Sequence, residues 1–142
     1  MEDKLLKEFV PYEEADDLKE LGFDEECFIM YHDINEIIRP LYDEGESSVK
    51  NSMWDDSRFV AAPLYQQAFR WFREKHNLQH EITRQGDELW LLTIIEIDKT
   101  HPTGVFSGAR YNLEDDTSEI VTSYPQAELA CLKKLIEIIN FH

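Results

Sequence analysis

Two histidines four residues apart are the first candidates for chemistry in this 142-residue chain. His76 and His80 would share one face if both lay on a helix, a spacing that suits two ligands of a zinc ion. Asn77 stands between them, however, and asparagine is typical of the position where a helix ends. No CxxC or HExxH motif accompanies the pair. We therefore expect no metal site here.

Cysteine chemistry is the second candidate. Cys27 lies shortly before His32 and Asp33, a combination that could supply a nucleophile, a base and an orienting acid. Successive side chains of a strand alternate between faces, so the odd offset places Cys27 and His32 on opposite sides. Cys27 and Cys131 are too few for a disulfide scaffold and are expected to be small core residues. His101, with no partner nearby in sequence, is expected to be an exposed turn histidine.

Loops that bind phosphate or calcium are absent from the sequence. Gly104 and Gly108 belong to no GxxxxGK[ST] or GxGxxG motif. The Asp pairs at 55–56 and 115–116 lack the alternation and the glycine of a calcium loop. The bases near Trp71 are expected to pair with acids of this same chain. We therefore predict no catalytic residue, no metal and no cofactor.

A C-terminal helix, expected over residues 123–141, would carry the core. Ser123 can cap its first turn, and Gln126 three residues later completes a capping box. The broad apolar stripe of this helix suits packing on a sheet. Its expected central residues are Leu129, Leu132, Ile136 and Ile139.

Two further helices are predicted. One begins at about Glu13 and stops at Gly22, where glycine permits a left-handed conformation. The other follows Pro63 and ends at His76, with Asn77 as its C-cap. A brief helical turn is expected at Ile34, Ile37 and Ile38, and Met53 and Trp54 are expected to attach their loop to the core.

Strands are expected at four places. Residues 27–31 form a short apolar run, and residues 78–97 read as a hairpin whose second strand is apolar on both faces. A further strand is expected near 105–113 and a short edge strand at 119–122. This order predicts an α+β fold, a small antiparallel sheet of three to four strands with helices packed on one face. We expect a single domain over residues 1–142, with an irregular acidic insertion at about 43–58.

The charge of the chain limits its partners. Thirty acidic residues against fourteen basic ones give a net charge of −16, and residues 1–30 contribute half of it. Such a chain repels phosphate, so direct binding to nucleic acid or to anionic membranes is not expected. No run approaches the ~20 apolar residues of a membrane span, and no secretory signal is seen, so the cytoplasm is the expected compartment.

Three stretches of the chain look familiar together. They are residues 9–28, residues 62–76 with the phrase WFREKH, and residues 127–137 with the phrase ELACLKKLIE. In this order they resemble small uncharacterised proteins encoded by phages and mobile elements of Bacteroidetes-type bacteria. The resemblance implies no activity, cofactor or catalytic residue. Members are shorter between the first two stretches, so the acidic segment containing Trp54 departs from the pattern. An origin on a mobile element favours a role in binding a host protein.

The leading hypothesis is a non-enzymatic, cytoplasmic module that binds a protein partner, expected to be basic. The acids near the N-terminus form the candidate surface. They are Glu13, Glu14, Asp16, Asp17, Glu20, Asp24, Glu25 and Glu26.

The alternative hypothesis is a small-ligand binder or an enzyme. Its pocket would lie between the sheet and the aromatic helix, near Tyr65, Trp71, His80 and Trp90. Homodimerisation through an edge strand is compatible with either hypothesis.

Overall fold

The computed structural model describes most of the chain, and its secondary structure is α+β. The described residues are 6–32, 36–38, 48–53, 58–85, 89–97, 110–112 and 123–141. Their contacts group into two compact units, Met1–Gln67 and Ala68–His142, which we call the N-terminal unit and the C-terminal unit. The expectation of a single domain stays a prediction.

The N-terminal unit contains one helix and a small antiparallel sheet. Its elements in chain order are α1 (Tyr12–Glu20), β1 (Ile29–His32), β2 (Glu36–Ile38), a 3-10 helix (Asn51–Met53) and β3 (Phe59–Ala62). Strand β1 is central and pairs with β2 on one side and with β3 on the other. Helix α1 contacts β3.

Helix α1 has the signals that its sequence predicts. Glu13 lies in the first turn, where the helix dipole favours an acid. Ala15 and Leu18 are buried on the inner face. Gly22 follows the helix with a φ of 98°, a conformation that a glycine adopts at little cost. The predicted helix and its glycine stop are confirmed.

Strand β2 replaces a predicted helical turn. Ile37 and Ile38 were expected in a helix, but they lie opposite Tyr31 and Met30 of β1. β-branched side chains favour strands, and pairing with β1 decides a segment too short to hold a helix by itself. Ile34 lies outside the described residues.

The C-terminal unit contains a long hairpin. Helix α2 (Tyr65–His76) runs from the N-terminal unit into it, and β4 (Leu78–Gln85), β5 (Leu89–Glu96) and β6 (Arg110–Asn112) follow. The register from Leu78 opposite Glu96 to Gln85 opposite Leu89 confirms the predicted hairpin. Strand β5 is central, between β4 and β6, and its buried residues lie on both faces.

Helix α3 (Tyr124–Asn140) ends the described chain and contacts β4 and β5. The backbone N–H of Gln126 donates to Oγ of Ser123 over 3.4 Å, so the predicted cap is confirmed. The buried face is rotated from the predicted stripe, because Leu129 and Ile139 are only half-buried. The residues buried on this face are Ala127, Glu128, Cys131, Leu132, Leu135, Ile136 and Ile138.

The strands form two sheets where one was expected. The orders are β2-β1-β3 and β4-β5-β6 among the described residues. Strand β1 pairs with β2 and β3, two strands that the sequence pattern had not revealed. It is not part of the sheet that contains the hairpin. The predicted edge strand at 119–122 and most of the insertion at 43–58 lie outside the described residues. That the helices share one face of a sheet stays a prediction.

Candidate functional site

Four carboxylates follow one side of α1. Glu13, Asp16, Asp17 and Glu20 are spaced three, four and seven residues apart, so a helix places them on one face. Glu13 and Glu20 are exposed, and Asp16 and Asp17 are half-buried. We call these four residues the acidic stripe.

The carboxylates of the stripe repel one another. The pKa of Asp17 is raised, first by burial and then by the negative charges of Glu20, Asp16 and Glu13. Lys19 is the basic residue of α1, and its Nζ donates to the backbone O of Phe59 over 2.8 Å. The stripe therefore forms a region of negative potential on α1.

Glu14 does not belong to the exposed acidic surface. Its side chain is only 6% exposed and lies on the inner side of α1 with Ala15 and Leu18. Burial raises the pKa of Tyr31, and the Glu14 charge adds to the rise. The hydroxyl of Tyr31 donates to the backbone O of Val10 over 2.8 Å. Glu14 is therefore a core residue of the N-terminal unit.

The other three predicted acids lie in the segment after α1. Asp24 and Glu26 are exposed, whereas Glu25 is half-buried. Oδ1 of Asp24 accepts from the backbone N–H of Ser52 over 2.7 Å. The backbone O of Glu26 accepts from Nε2 of Gln67 over 2.6 Å. The side chain of Asp24 and the backbone of Glu26 therefore help to hold the segment in place.

Asn51 is a structural residue that the sequence had not singled out. Its side chain is 7% exposed. Nδ2 donates to the backbone O of Phe23 over 2.9 Å, and Oδ1 accepts from the backbone N–H of Ala61 over 2.8 Å. This one side chain therefore joins three segments of the N-terminal unit. Met53 was expected to attach the loop to the core, but it is exposed, and Asn51 does so instead. Trp54 lies outside the described residues.

Both cysteines are buried, free thiols. Burial raises the pKa of Cys27 to about 12 and that of Cys131 to about 12. Sγ of Cys27 donates to the backbone O of Glu25 over 3.4 Å, and the ring of His32 stacks on Phe59 at 4.6 Å. Thiols held protonated in this way are poor nucleophiles. Their prediction as core residues is confirmed.

His80 lies beneath the ring of Phe69 in the C-terminal unit. The two rings stack with centroids 3.7 Å apart. Burial lowers the pKa of His80 to about 4, and the charge of Arg73 adds to the effect. Asn77 ends α2 with a φ of 58°, as predicted, so His76 and His80 do not share one helix. Within the described residues, Nδ1 of His80 and Oδ1 of Asn77 are buried and have no hydrogen-bond partner.

The aromatic residues proposed for a pocket have separate ring contacts. Trp71 is buried and contacts the rings of Phe72 and His76 at 5.1 and 4.8 Å. Trp90 is half-buried and contacts the ring of Tyr124 at 5.3 Å, with Cζ of Arg84 at 5.8 Å. Tyr65 is also buried and belongs to the N-terminal unit. A ligand pocket near Tyr65, Trp71, His80 and Trp90 stays a prediction.

Comparisons of the chain with known proteins do not identify a relative. Protein-family models, curated protein sequences and solved structures all give no match to the chain. Among the described residues, no three His, Cys, Asp or Glu side chains gather as a metal site would require. No helix in the described ranges has the length and apolar character needed to cross a bilayer.

Proposed function

We propose that this protein is a non-enzymatic binding module whose acidic stripe docks a positively charged surface of a partner protein. The observation that carries the proposal is the placement of four carboxylates along one face of α1. The pKa of Asp17 is raised by burial first and by Glu20, Asp16 and Glu13 in addition, which agrees with this crowding. A cation placed against this row would relieve the repulsion among Glu13, Asp16, Asp17 and Glu20. The binding energy would be largely electrostatic, and it would speed association.

The partner is a different protein rather than a second copy of this one. A net charge of −16 opposes docking of the stripe on another copy, and it also opposes phosphate backbones and anionic lipids. In this proposal the module acts in the bacterial cytoplasm. A phage or mobile-element origin, which the three sequence stretches suggest, would direct it at a host protein.

Affinity capture with two matched variants tests the proposal. The stripe variant combines Glu13→Gln, Asp16→Asn, Asp17→Asn and Glu20→Gln. The control variant neutralises four exposed acids of the C-terminal unit. It combines Glu74→Gln, Glu81→Gln, Glu96→Gln and Glu137→Gln. Each variant removes four negative charges from the net charge of −16. The comparison therefore separates the effect of where the charges lie from the effect of the total charge.

We expect a basic protein to be recovered with the unaltered protein and the control variant but lost with the stripe variant. With the purified partner, the stripe variant should raise the Kd about tenfold at low salt, if each surface charge contributes about 0.4 kcal/mol. This difference should shrink as salt screens the charges. Equal recovery with the two variants, both shown to be folded by circular dichroism, would contradict the proposal.

A further inference from the structure

Strand β4 is the outer strand of its sheet among the described residues, whose order is β4-β5-β6. It pairs with β5 over eight consecutive residues, from Leu78 to Gln85, without a bulge and without a proline. Native edges are commonly protected by a bulge, a proline or a very short strand, because an unpaired edge can pair with another chain. The edge of β4 has none of these three features.

The register decides which backbone groups of β4 point away from β5. The N–H of Ile97 donates to the O of Asn77 over 2.7 Å, one step before the pair of Leu78 with Glu96. Because hydrogen-bonded pairs alternate with non-bonded pairs in an antiparallel ladder, the odd-numbered residues of β4 bond to β5. The even-numbered residues therefore direct their N–H and C=O groups outward. They are Leu78, His80, Ile82 and Arg84.

The contacts of His80 and Ile82 agree with this assignment. The O of His80 accepts from Nε2 of Gln79 over 3.1 Å, so a side chain, rather than a strand, reaches it. Within the described residues, no hydrogen bond reaches Ile82 from the outer side. The side chain of Ile82 is half-buried and lies on the same face of the strand as the buried Leu78. The middle of the edge thus offers backbone groups and an apolar side chain to a further strand.

A second copy of β4 fits this edge in one antiparallel register. Outward groups must meet outward groups, so even-numbered residues face even-numbered residues. Ile82 opposite Ile82 of the second copy brings His80 of each strand opposite Arg84 of the other. These are not like charges, because burial lowers the pKa of His80. Glu81 then faces Thr83. A shift by two residues in one direction would place Glu81 opposite its own copy, and in the other direction it would leave His80 opposite a residue beyond β4.

We propose that two copies of this chain associate through their β4 edges, with Ile82 at the two-fold axis. The pairing would join the two three-stranded sheets into one of six strands. Charge selects this occupant, because Glu81 and Arg84 balance within β4, and a strand of the same composition matches them better than a uniformly basic or acidic one. The inference does not depend on the acidic stripe, which belongs to the N-terminal unit. The net charge of −16 opposes the approach of two copies, so association should strengthen as salt screens the repulsion.

Sedimentation equilibrium of the full chain tests the inference with substitutions at Thr83, which is exposed. Thr83→Lys places a lysine opposite Glu81 of the second copy, and the two-fold axis makes this pair occur twice. We expect the dimer Kd to fall about tenfold with Thr83→Lys and to rise about tenfold with Thr83→Glu. Adding Glu81→Lys to Thr83→Glu places opposite charges across the edge again, so this double variant should dimerise more tightly than the unaltered protein.

Two matched variants separate the edge from the total charge. Asn140→Lys and Asn140→Glu make the same charge changes at an exposed position of α3, and they should change the Kd less than about twofold. A protein that stays monomeric up to about 1 mM at moderate salt would overturn the inference. Equal Kd values for Thr83→Lys and Thr83→Glu, both shown to be folded by circular dichroism, would also overturn it, as would shifts of the same size in the Asn140 variants. Each of these results leaves the proposed function standing, because affinity capture with the stripe variant tests that function separately.

Discussion

The strands inside the N-terminal unit and those inside the C-terminal unit are joined by different interactions. In the N-terminal unit, strands of three or four residues are joined by side chains that hydrogen-bond to distant backbone, those of Tyr31, Asn51 and Lys19. In the C-terminal unit, two strands of eight residues form one hairpin, and a helix of 17 residues buries an apolar face. Both units bury apolar side chains. The difference teaches that short strands need polar contacts to distant backbone in addition to this burial, whereas long strands are joined along their own length.

The largest effect is expected in the C-terminal unit. Leu132→Ala removes a fully buried side chain of α3 and should lower the free energy of unfolding by about 3 kcal/mol, through lost burial and a cavity. Leu129→Ala is the matched control, because Leu129 is half-buried on the same helix. It should cost about 1 kcal/mol or less. Urea denaturation measures both values. Equal losses would contradict the observation that α3 buries Leu132 and leaves Leu129 half-buried.

A smaller loss is expected when the polar contacts of the N-terminal unit are removed. Asn51→Ala leaves the backbone O of Phe23 and the N–H of Ala61 without their partner, and it should cost about 2 kcal/mol. Hydrogen exchange at the Ala61 amide should become faster at the same time. Ser52→Ala, at an exposed neighbouring position, should change neither quantity. If Asn51→Ala behaves like Ser52→Ala, apolar burial alone holds this unit as well.

The smallest effect is a pH dependence at His80. Its folded pKa of about 4 lies below the ordinary value of 6.5, so the unfolded chain binds a proton that the folded chain does not. Stability should therefore fall as the pH drops from 6.5 towards 4, by roughly 1 kcal/mol once partial solvent contact is allowed for. Denaturation at pH 7 and pH 5 measures the loss. His80→Gln should lose less between these pH values, and an equal loss in both proteins would exclude His80 as the cause.

The C-terminal unit could be predicted well because its signals are local. Ser123 and Gln126 define the start of α3, and Asn77 ends α2. The alternation over residues 78–97 predicts a hairpin whose strands are neighbours in sequence. The orientation of α3 was less predictable. Leu129 and Leu135 both fit an apolar face, and packing against the hairpin decides which one is buried.

The N-terminal unit was harder to predict because its contacts are distant in sequence. Strands β2 and β3 are too short for a periodic pattern, and their pairing with β1 is visible only in the folded chain. Asn51 looks like an ordinary loop residue until Phe23 and Ala61 lie beside it. Glu14 resembles its acidic neighbours, although it is buried. The acidic stripe could be predicted from spacing alone, whereas the bridge between Cys27 and Val49 is visible only in the folded chain.

The two cysteines provide a natural label for following each unit. Cys27 belongs to the N-terminal unit and Cys131 to the C-terminal unit, and each thiol is buried and protonated. An alkylating reagent can reach either sulfur only when the surrounding core opens. The rate of modification at each cysteine, read by mass spectrometry, therefore reports how often that half of the molecule opens, without any engineered probe.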